Sequence, residues 1–102
     1  MKEYDAIAIG SGSAMSIVDL MIRRNPDLKV AVIDKDEPGG ICLTRGCIPS
    51  KLLLYPAELV RIIERAGEFG IQADLRSVSY ERVVERMRSL VHKEIDMIRH
   101  GL

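Results

Sequence analysis

Two cysteines, Cys42 and Cys47, are the residues of this chain whose type and spacing best suit chemistry. In an α-helix two Cα atoms five positions apart are separated by about 8–9 Å, and in a strand by roughly 16 Å. A disulfide needs a Cα separation below about 7 Å. A bridge therefore requires an irregular turn, which Gly39, Gly40 and Gly46 can supply. The pair is either a redox couple on a bent loop or two unrelated thiols.

The residues after Cys47 favour a redox role. Pro49 suits the first turn of a helix, where its missing N–H costs nothing, and residues 52–66 are rich in helix formers. We therefore expect Cys47 close to a helix N-terminus. The positive end of the helix dipole, together with Arg45 and Lys51, would favour its thiolate form.

Cys42 lies further out on the predicted loop, and we expect it to be the sulfur that exchanges more readily. Ordinary reduced cysteines remain the alternative. A zinc site is not expected, because the only other soft ligands, His92 and His100, lie at the far end of the chain and no C-x-x-C unit is present. We interpret both histidines as surface residues and predict no metal.

The composition is that of one small globular domain. The chain has 102 residues, 47% of them apolar, and its 15 basic residues balance its 15 acidic ones. This balance argues against a nucleic-acid partner or a polybasic membrane patch. No apolar run approaches the roughly 20 residues of a membrane span, and residues 1–5 do not begin a signal peptide. We predict a cytoplasmic protein, in which a cycling disulfide is more usual than a structural one.

The first third of the chain predicts a βαβ unit. Residues 6–9 form an apolar run typical of a buried parallel strand, and residues 29–34 read as a second strand. Between them, a glycine turn leads into a helix that ends near Arg24. Its apolar face is formed by Ile17, Val18, Met21 and Ile22.

The turn between strand and helix has the residues that a dinucleotide site needs. Gly10 permits a tight turn, and Gly12 allows the backbone to approach a pyrophosphate. The N–H groups around Ser13 and Ala14 open the helix towards that anion. Asp34 ends the second strand, where a carboxylate can accept hydrogen bonds from ribose hydroxyls.

One position departs from the dinucleotide pattern. Met15 occupies the place of the third glycine, so the close contact between helix and strand must be made differently. A Rossmann-like turn without a ligand is the alternative interpretation.

The glycine turn and residues 39–51 together resemble the N-terminal FAD-binding segment of the flavin-dependent pyridine nucleotide–disulfide oxidoreductases, over about residues 3–70. Within that family, residues 45–51 are similar to the motif of the dihydrolipoamide dehydrogenases. Residues 12–17 are instead similar to the mycothione reductases, which also lack the third glycine. The resemblance implies an α/β fold: a Rossmann-like βαβ FAD-binding unit, part of a three-layer FAD/NAD(P)-binding fold, with additional long helices.

The resemblance also implies roles for individual residues. Cys47 would lie against the flavin as the charge-transfer thiolate, and Cys42 would exchange with the disulfide substrate. Lys51 would approach the flavin ring near N5, although a solvated lysine in the first helical turn is the alternative. The implied FAD-binding residues are Gly10, Gly12, Ser13, Ala14, Asp34, Lys35, Gly39, Gly40, Ile41, Cys42 and Lys51.

The implied enzyme passes electrons between a small-molecule or lipoyl-type disulfide substrate, the cysteine pair, FAD and NAD(P), and acts as a homodimer. Residues 1–102 would be the N-terminal part of its FAD-binding domain, without the nicotinamide-binding and dimerisation domains. We therefore expect a fragment that is not competent alone. Two alternatives stay open: a truncated, non-catalytic dinucleotide-binding or interaction module, and a stand-alone thiol redox sensor. The candidate substrates are lipoamide, the disulfides of mycothiol, glutathione and coenzyme A, and mercuric ion.

The remainder of the chain reads as two long helices. The helix of residues 52–66 contains Pro56, which should kink it, and residues 67–70 end it. Ser79 can cap a final helix of about twenty residues. Its apolar positions recur at helical spacing, which we interpret as packing: Tyr80, Val83, Val84, Met87, Leu90, Val91, Ile95 and Ile98.

Overall fold

The first third of the chain forms the predicted βαβ unit. The computed structural model describes residues 1–101. Strands β1 (Ala6–Ile9) and β2 (Val30–Ile33) pair in parallel, and helix α1 (Met15–Arg24) connects them. The first residue of β1 pairs with the first of β2, and the last with the last. The α/β expectation is confirmed at the level of this unit, within a chain of mixed helix and strand.

The expectation that the strands are buried is wrong for one face of the sheet. Side chains alternate between the two faces of a strand, and those of Ile7, Ile9 and Ile33 are exposed. Only two strands are present among residues 1–101, and no element of that part of the chain covers this face. The apolar run of residues 6–9 does form a strand, but whether its side chains are buried depends on which other elements pack against the sheet.

The apolar face predicted for α1 is only partly used. Val18 is buried and Met21 is half-buried, whereas Ile17 and Ile22 are exposed. Neighbouring strands lie about 4.8 Å apart, so a two-stranded sheet is too narrow to cover a whole helix face.

The remainder of the chain is helical. Helix α2 (Gly40–Thr44) is short, and α3 (Cys47–Arg65) follows after a break of two residues. A 3₁₀ turn (Ala66–Phe69) ends α3, as the glycines predict, and helix α4 (Tyr80–Gly101) completes the described chain. Pro56 lies inside α3 as predicted; the kink there remains a prediction.

Cys42 lies in helix α2, so its assignment to a loop is wrong. Gly39 precedes the helix in a left-handed conformation, with φ of 118°, which starts a new helical segment there. The Thr44 hydroxyl donates to the Gly40 carbonyl at 3.0 Å within the helix. Leu43 anchors the other side by burying its side chain against α4. The irregular turn demanded by the cysteine spacing therefore comes after Cys42, between α2 and α3.

The core lies where α2 packs against α3 and α4. Leu43, Val91 and Ile95 form the buried cluster, with Leu52, Met87 and Ile98 packed around it. The interpretation of the α4 stripe as packing is confirmed from its middle onward, although Tyr80 is exposed. The N–H of Arg82 donates to the Ser79 hydroxyl at 3.4 Å, which supports the predicted cap.

The described chain is elongated. Its radius of gyration is 20.2 Å, with extents of 67 × 26 × 17 Å, whereas a compact domain of this length has a radius of about 13 Å. The small core and the many exposed aliphatic side chains follow from this shape. Among residues 1–101, no helix has the length and apolar character needed to cross a membrane.

Candidate functional site

The glycine turn after β1 is tied to the end of β2 and has open space beside it. The Gly10 N–H donates to the Ile33 carbonyl at 2.7 Å. Gly10 has a φ of 94°, which strongly favours glycine, and a Cβ built on it would meet nothing within 4 Å. The turn therefore leaves room for a ligand beside the backbone.

Helix α1 begins with backbone donors that have no acceptor within residues 1–101. The N–H groups concerned belong to Gly12, Ser13 and Ala14, whereas the Met15 N–H donates back to the Gly12 carbonyl at 3.0 Å. Ala14 provides no side-chain cap. Free N–H groups at the positive end of a helix dipole are suited to binding an anion such as a pyrophosphate.

Asp34 follows β2 and is held by the glycine turn. Its Oδ2 accepts the Ser11 N–H at 2.8 Å and also the Ser11 hydroxyl, and its Oδ1 accepts the Asp36 N–H at 3.0 Å. The Ser11 hydroxyl is the main reason that the pKa of Asp34 is lowered to about 2, with backbone N–H groups adding to it. The carboxylate is therefore ionised and fixed in place at neutral pH.

Ser11 is a residue that sequence reasoning missed. It is the buried polar residue among residues 1–101, with 4% of its surface exposed. The pairing of the strands could have revealed its role, because β1 and β2 are parallel and their last residues, Ile9 and Ile33, pair with each other. Residues just after two such strands meet at the same edge of the sheet. A serine just after β1 and an acid just after β2 are therefore expected to meet there.

The glycine turn is in direct contact with the cysteine segment. The Gly39 N–H donates to the Ser11 hydroxyl oxygen at 3.1 Å. A Cβ built on Gly40 would lie 2.5 Å from the Gly12 Cα, so these two backbones touch. The structure thus brings Gly12, Gly39, Gly40 and Asp34 together. A ligand that contacts both the glycine turn and α2 would need this arrangement.

The two cysteines are brought together by the break between α2 and α3. The Arg45 N–H donates to the Ile41 carbonyl at 2.9 Å, which closes the end of α2. A Cβ built on Gly46 would lie 3.1 Å from the Ile41 oxygen and 3.5 Å from the Cys42 Cα. A side chain at Gly46 would therefore be tightly placed against the end of α2. The turn suits a glycine at position 46, because its backbone lies close to Ile41 and Cys42.

Both thiols are free and exposed, and the Cys47 side chain lies close enough to Cys42 to act on its ionisation. Hydrogen bonding to the Cys47 side chain is the main cause that raises the pKa of the Cys42 thiol, because it favours the form of Cys42 that keeps its proton. The positive charge of Lys51 acts weakly in the opposite direction. Cys47 is the first residue of α3, where the helix dipole favours negative charge.

The remaining predicted residues lie on the surface of the chain. Arg45 pairs with Asp36 at 3.6 Å, so part of its charge is directed away from the thiols. Lys35, Ile41 and Lys51 are exposed. The prediction that His92 and His100 lie on the surface is confirmed. Within residues 1–101, no group of three or more metal-ligating side chains comes together.

Comparison with known proteins finds relatives that match nearly the whole chain. The chain is 42% identical over 101 residues to dihydrolipoyl dehydrogenase of Chlamydia trachomatis serovar D, covering 99% of this chain and 21% of that enzyme. It is 36% identical over 98 residues to dihydrolipoyl dehydrogenase of Bacillus subtilis strain 168, covering 96% of this chain and 20% of that enzyme. It is also 38% identical over 87 residues to mycothione reductase of Mycobacterium tuberculosis H37Rv, covering 85% of this chain and 18% of that enzyme. No protein-family model matches the chain.

The chain is homologous to one segment of the pyridine nucleotide–disulfide oxidoreductases. It spans about a fifth of the length of the curated relatives it matches. The resemblance inferred from the glycine turn and the cysteine motif is thereby confirmed. Both relatives named on the motifs, the dihydrolipoyl dehydrogenases and the mycothione reductases, are among the oxidoreductases found.

Proposed function

We propose that the chain is the N-terminal FAD-binding and redox-active segment of a disulfide oxidoreductase of the dihydrolipoyl dehydrogenase type. The observation that carries the proposal is the contact between the glycine turn and the helix of Cys42. Through the Ser11–Gly39 hydrogen bond and the Gly12–Gly40 contact, a nucleotide-type turn lies directly against the segment that carries the two thiols. The identity to dihydrolipoyl dehydrogenases over nearly the whole chain supports the same assignment.

The residues present fit FAD. The free N–H groups of Gly12, Ser13 and Ala14 would hold its pyrophosphate, in the open space beside Gly10. A carboxylate offers about four acceptor positions, and Asp34 uses three of them for Ser11 and Asp36. The remaining position would accept a ribose hydroxyl.

The rest of the proposed cofactor contacts come from the segments around the cysteines. Lys35, Gly39, Gly40 and Ile41 would line the cofactor between its adenosine and the thiols, and Lys51 would lie near the ring. When bound, FAD supplies a two-electron acceptor that passes the electrons on to NAD or NADP.

The chain's own chemistry is thiol–disulfide exchange. With the pair oxidised, a thiolate of a dithiol substrate attacks Cys42, the Cys42–Cys47 bond breaks, and Cys47 leaves as a thiolate. The second substrate thiol then attacks the mixed disulfide and releases Cys42, which takes up a proton. The substrate gains a disulfide and the cysteine pair gains two electrons, and the proton that Cys42 takes up is the one that the second substrate thiol loses. The helix N-terminus at Cys47 favours this direction of cleavage because it stabilises the leaving thiolate.

A stand-alone thiol redox sensor is the second candidate, because both thiols are exposed to solvent. Such a sensor would form the same disulfide without any flavin. Flavin binding separates the two functions.

The test combines the chain itself with a chimera. The purified chain is incubated with FAD, passed over a desalting column and examined for flavin absorbance, while alkylation and mass spectrometry follow disulfide formation under oxidation. In parallel, the chain replaces the matching segment of the Bacillus subtilis dihydrolipoyl dehydrogenase, and dihydrolipoamide oxidation by NAD is measured.

We expect the chimera to bind FAD and turn over. Cys42→Ser and Cys47→Ser should each abolish turnover, whereas Ser89→Ala, an exposed hydroxyl on α4, should not alter it. A folded chimera that binds FAD but retains activity without Cys42 would contradict the proposal. Disulfide formation without FAD binding by either protein would favour the sensor.

A further inference from the structure

Ser11 is buried and its hydroxyl is fully used. The hydroxyl donates its one proton to Asp34 and accepts the Gly39 N–H at 3.1 Å. Its own N–H is bound to Asp34 as well. An alanine at this position would leave the Gly39 N–H without an acceptor, although it would not disturb the backbone bond to Asp34.

Gly39 immediately precedes α2, and Cys42 is three residues further on. A Cβ built on Gly39 would lie 2.4 Å from Leu43 and 3.3 Å from Ile98, so the start of α2 is tightly surrounded. The short helix is anchored in three places: by the Ser11–Gly39 hydrogen bond at its start, by the Gly12–Gly40 backbone contact, and by Leu43 in the core. Without Ser11, the Gly39 N–H would lose its acceptor, and α2 could pivot about the two packing contacts that remain.

A pivot of α2 changes the approach of Cys42 to Cys47, because a disulfide tolerates only a narrow range of separations and angles. We propose that Ser11 is a positioning residue that acts through Gly39 to hold Cys42 in the geometry of a disulfide with Cys47. The assignment rests on the redox role proposed above for the two cysteines. It adds to that role a residue that binds neither substrate nor sulfur.

The measurement is the equilibrium of the 102-residue chain with glutathione. The reaction joins Cys42 and Cys47 by one disulfide bond, and reduces one glutathione disulfide to two glutathione thiols, which take up the two protons released. The oxidised fraction is read by acid quench, alkylation and mass spectrometry, under conditions where circular dichroism shows the chain folded.

Ser11→Ala is expected to lower the equilibrium constant for disulfide formation about fivefold, the factor that corresponds to one hydrogen bond worth about 1 kcal/mol. Ser11→Thr, which keeps the hydroxyl, should restore most of it. Ser89→Ala is the matched loss of an exposed hydroxyl and should leave the constant unchanged.

Asp34→Ala separates positioning from a general loss of stability. It removes the acceptor of the Ser11 hydroxyl but leaves Ser11 free to accept from Gly39, so it should lower the constant less than Ser11→Ala does. An equal effect of the two substitutions, or no effect of Ser11→Ala, would overturn the inference.

A measurement on the unsubstituted chain covers the case in which Ser11→Ala does not fold. If the Ser11–Gly39 bond stabilises the disulfide, then by linkage the disulfide stabilises that bond. Hydrogen exchange of the Gly39 amide should therefore be about fivefold slower in the oxidised chain than in the reduced chain. Equal exchange rates would refute the role of Ser11. A chain that forms no disulfide at all would instead refute the proposed redox function.

Discussion

Gly12 and Gly40 touch through their backbones: a Cβ on Gly40 would lie 2.5 Å from the Gly12 Cα. The two residues belong to different elements, since Gly12 lies in the turn before α1 and Gly40 begins α2. This contact, together with the Ser11–Gly39 hydrogen bond, fixes the cysteine helices relative to the glycine turn. In the sequence the two glycines belong to separate turns, but in the fold they pack directly against each other.

Gly40→Ala should destabilise the chain through this contact and through its backbone angle. Gly70 provides the matched control, because it has the same φ of 76° with nothing within 4 Å. Gly70→Ala should cost about 1–2 kcal/mol for the left-handed conformation alone. Gly40→Ala should cost at least about 1 kcal/mol more, the usual effect of overpacking. Urea unfolding followed by circular dichroism measures both, and equal losses would mean that the Gly12–Gly40 contact carries no energy.

Ile95→Ala should loosen the packing of α4 against α2. Ile95 is 5% exposed and lies in the cluster that holds Leu43. Truncation of a buried isoleucine costs about 2–5 kcal/mol, through lost burial and the cavity left behind. Met97 lies on the same helix with 60% of its surface exposed, so Met97→Ala should change the free energy of unfolding by less than about 0.5 kcal/mol. Comparable losses in the free energy of unfolding of the two variants would contradict the placement of Ile95 in the core.

The contribution of Asp34 to stability should disappear in acid. Its folded pKa is lowered to about 2 from an ordinary value of 3.8, mainly by the Ser11 hydroxyl. A lowered pKa means that the folded state favours the ionised form, so the stabilisation is complete above the ordinary value and is lost as the pH falls through the folded pKa. Urea midpoints of the chain and of Asp34→Asn should therefore differ above about pH 4 and converge towards about pH 2.

Asp74 serves as the control for this measurement, because it is an exposed carboxylate in the segment between the 3₁₀ turn and α4. Asp74→Asn should show no comparable convergence. A difference between the chain and Asp34→Asn that stays constant from pH 2 to pH 6 would contradict the Ser11–Asp34 interaction as its source.

Cys47→Ala should make Cys42 more reactive towards iodoacetamide at neutral pH. The hydrogen bond to Cys47 is the main cause of the raised pKa of Cys42, so its removal should bring that pKa down and increase the thiolate fraction. Lys51→Gln should have the opposite effect, since the lysine charge lowers the pKa of Cys42. Site-resolved alkylation rates across pH give both midpoints. A Cys42 midpoint that rises in Cys47→Ala would reverse the assigned direction of the hydrogen bond.

Much of the local structure could be predicted from the sequence because it depends on neighbours along the chain. Short continuous apolar runs predict the strands, apolar residues at helical spacing predict α1 and α4, and glycines predict the turns at Gly10 and Gly70. The cysteine spacing showed that a bridge between Cys42 and Cys47 would require an irregular turn. Its place after Cys42, and the short helix that contains Cys42, could not be predicted, because they depend on Leu43 packing against α4.

Burial was predicted less well than secondary structure. The side chains of Ile7 and Ile9 are exposed although their segment is strongly apolar. An apolar pattern shows that a face must be covered to be stable, but not that a covering element exists within residues 1–101.

The sequence by itself determined the chemistry that the chain contains: two thiols, one of them at a helix start, a glycine turn after a strand, and a carboxylate after the next strand. Only the tertiary structure decided how these parts are joined. Ser11 and Gly39 are 28 positions apart, and so are Gly12 and Gly40. The parallel sheet and the packing of α2 on α4 bring these pairs together, because contacts at such separations depend on the arrangement of whole elements rather than on neighbouring residues.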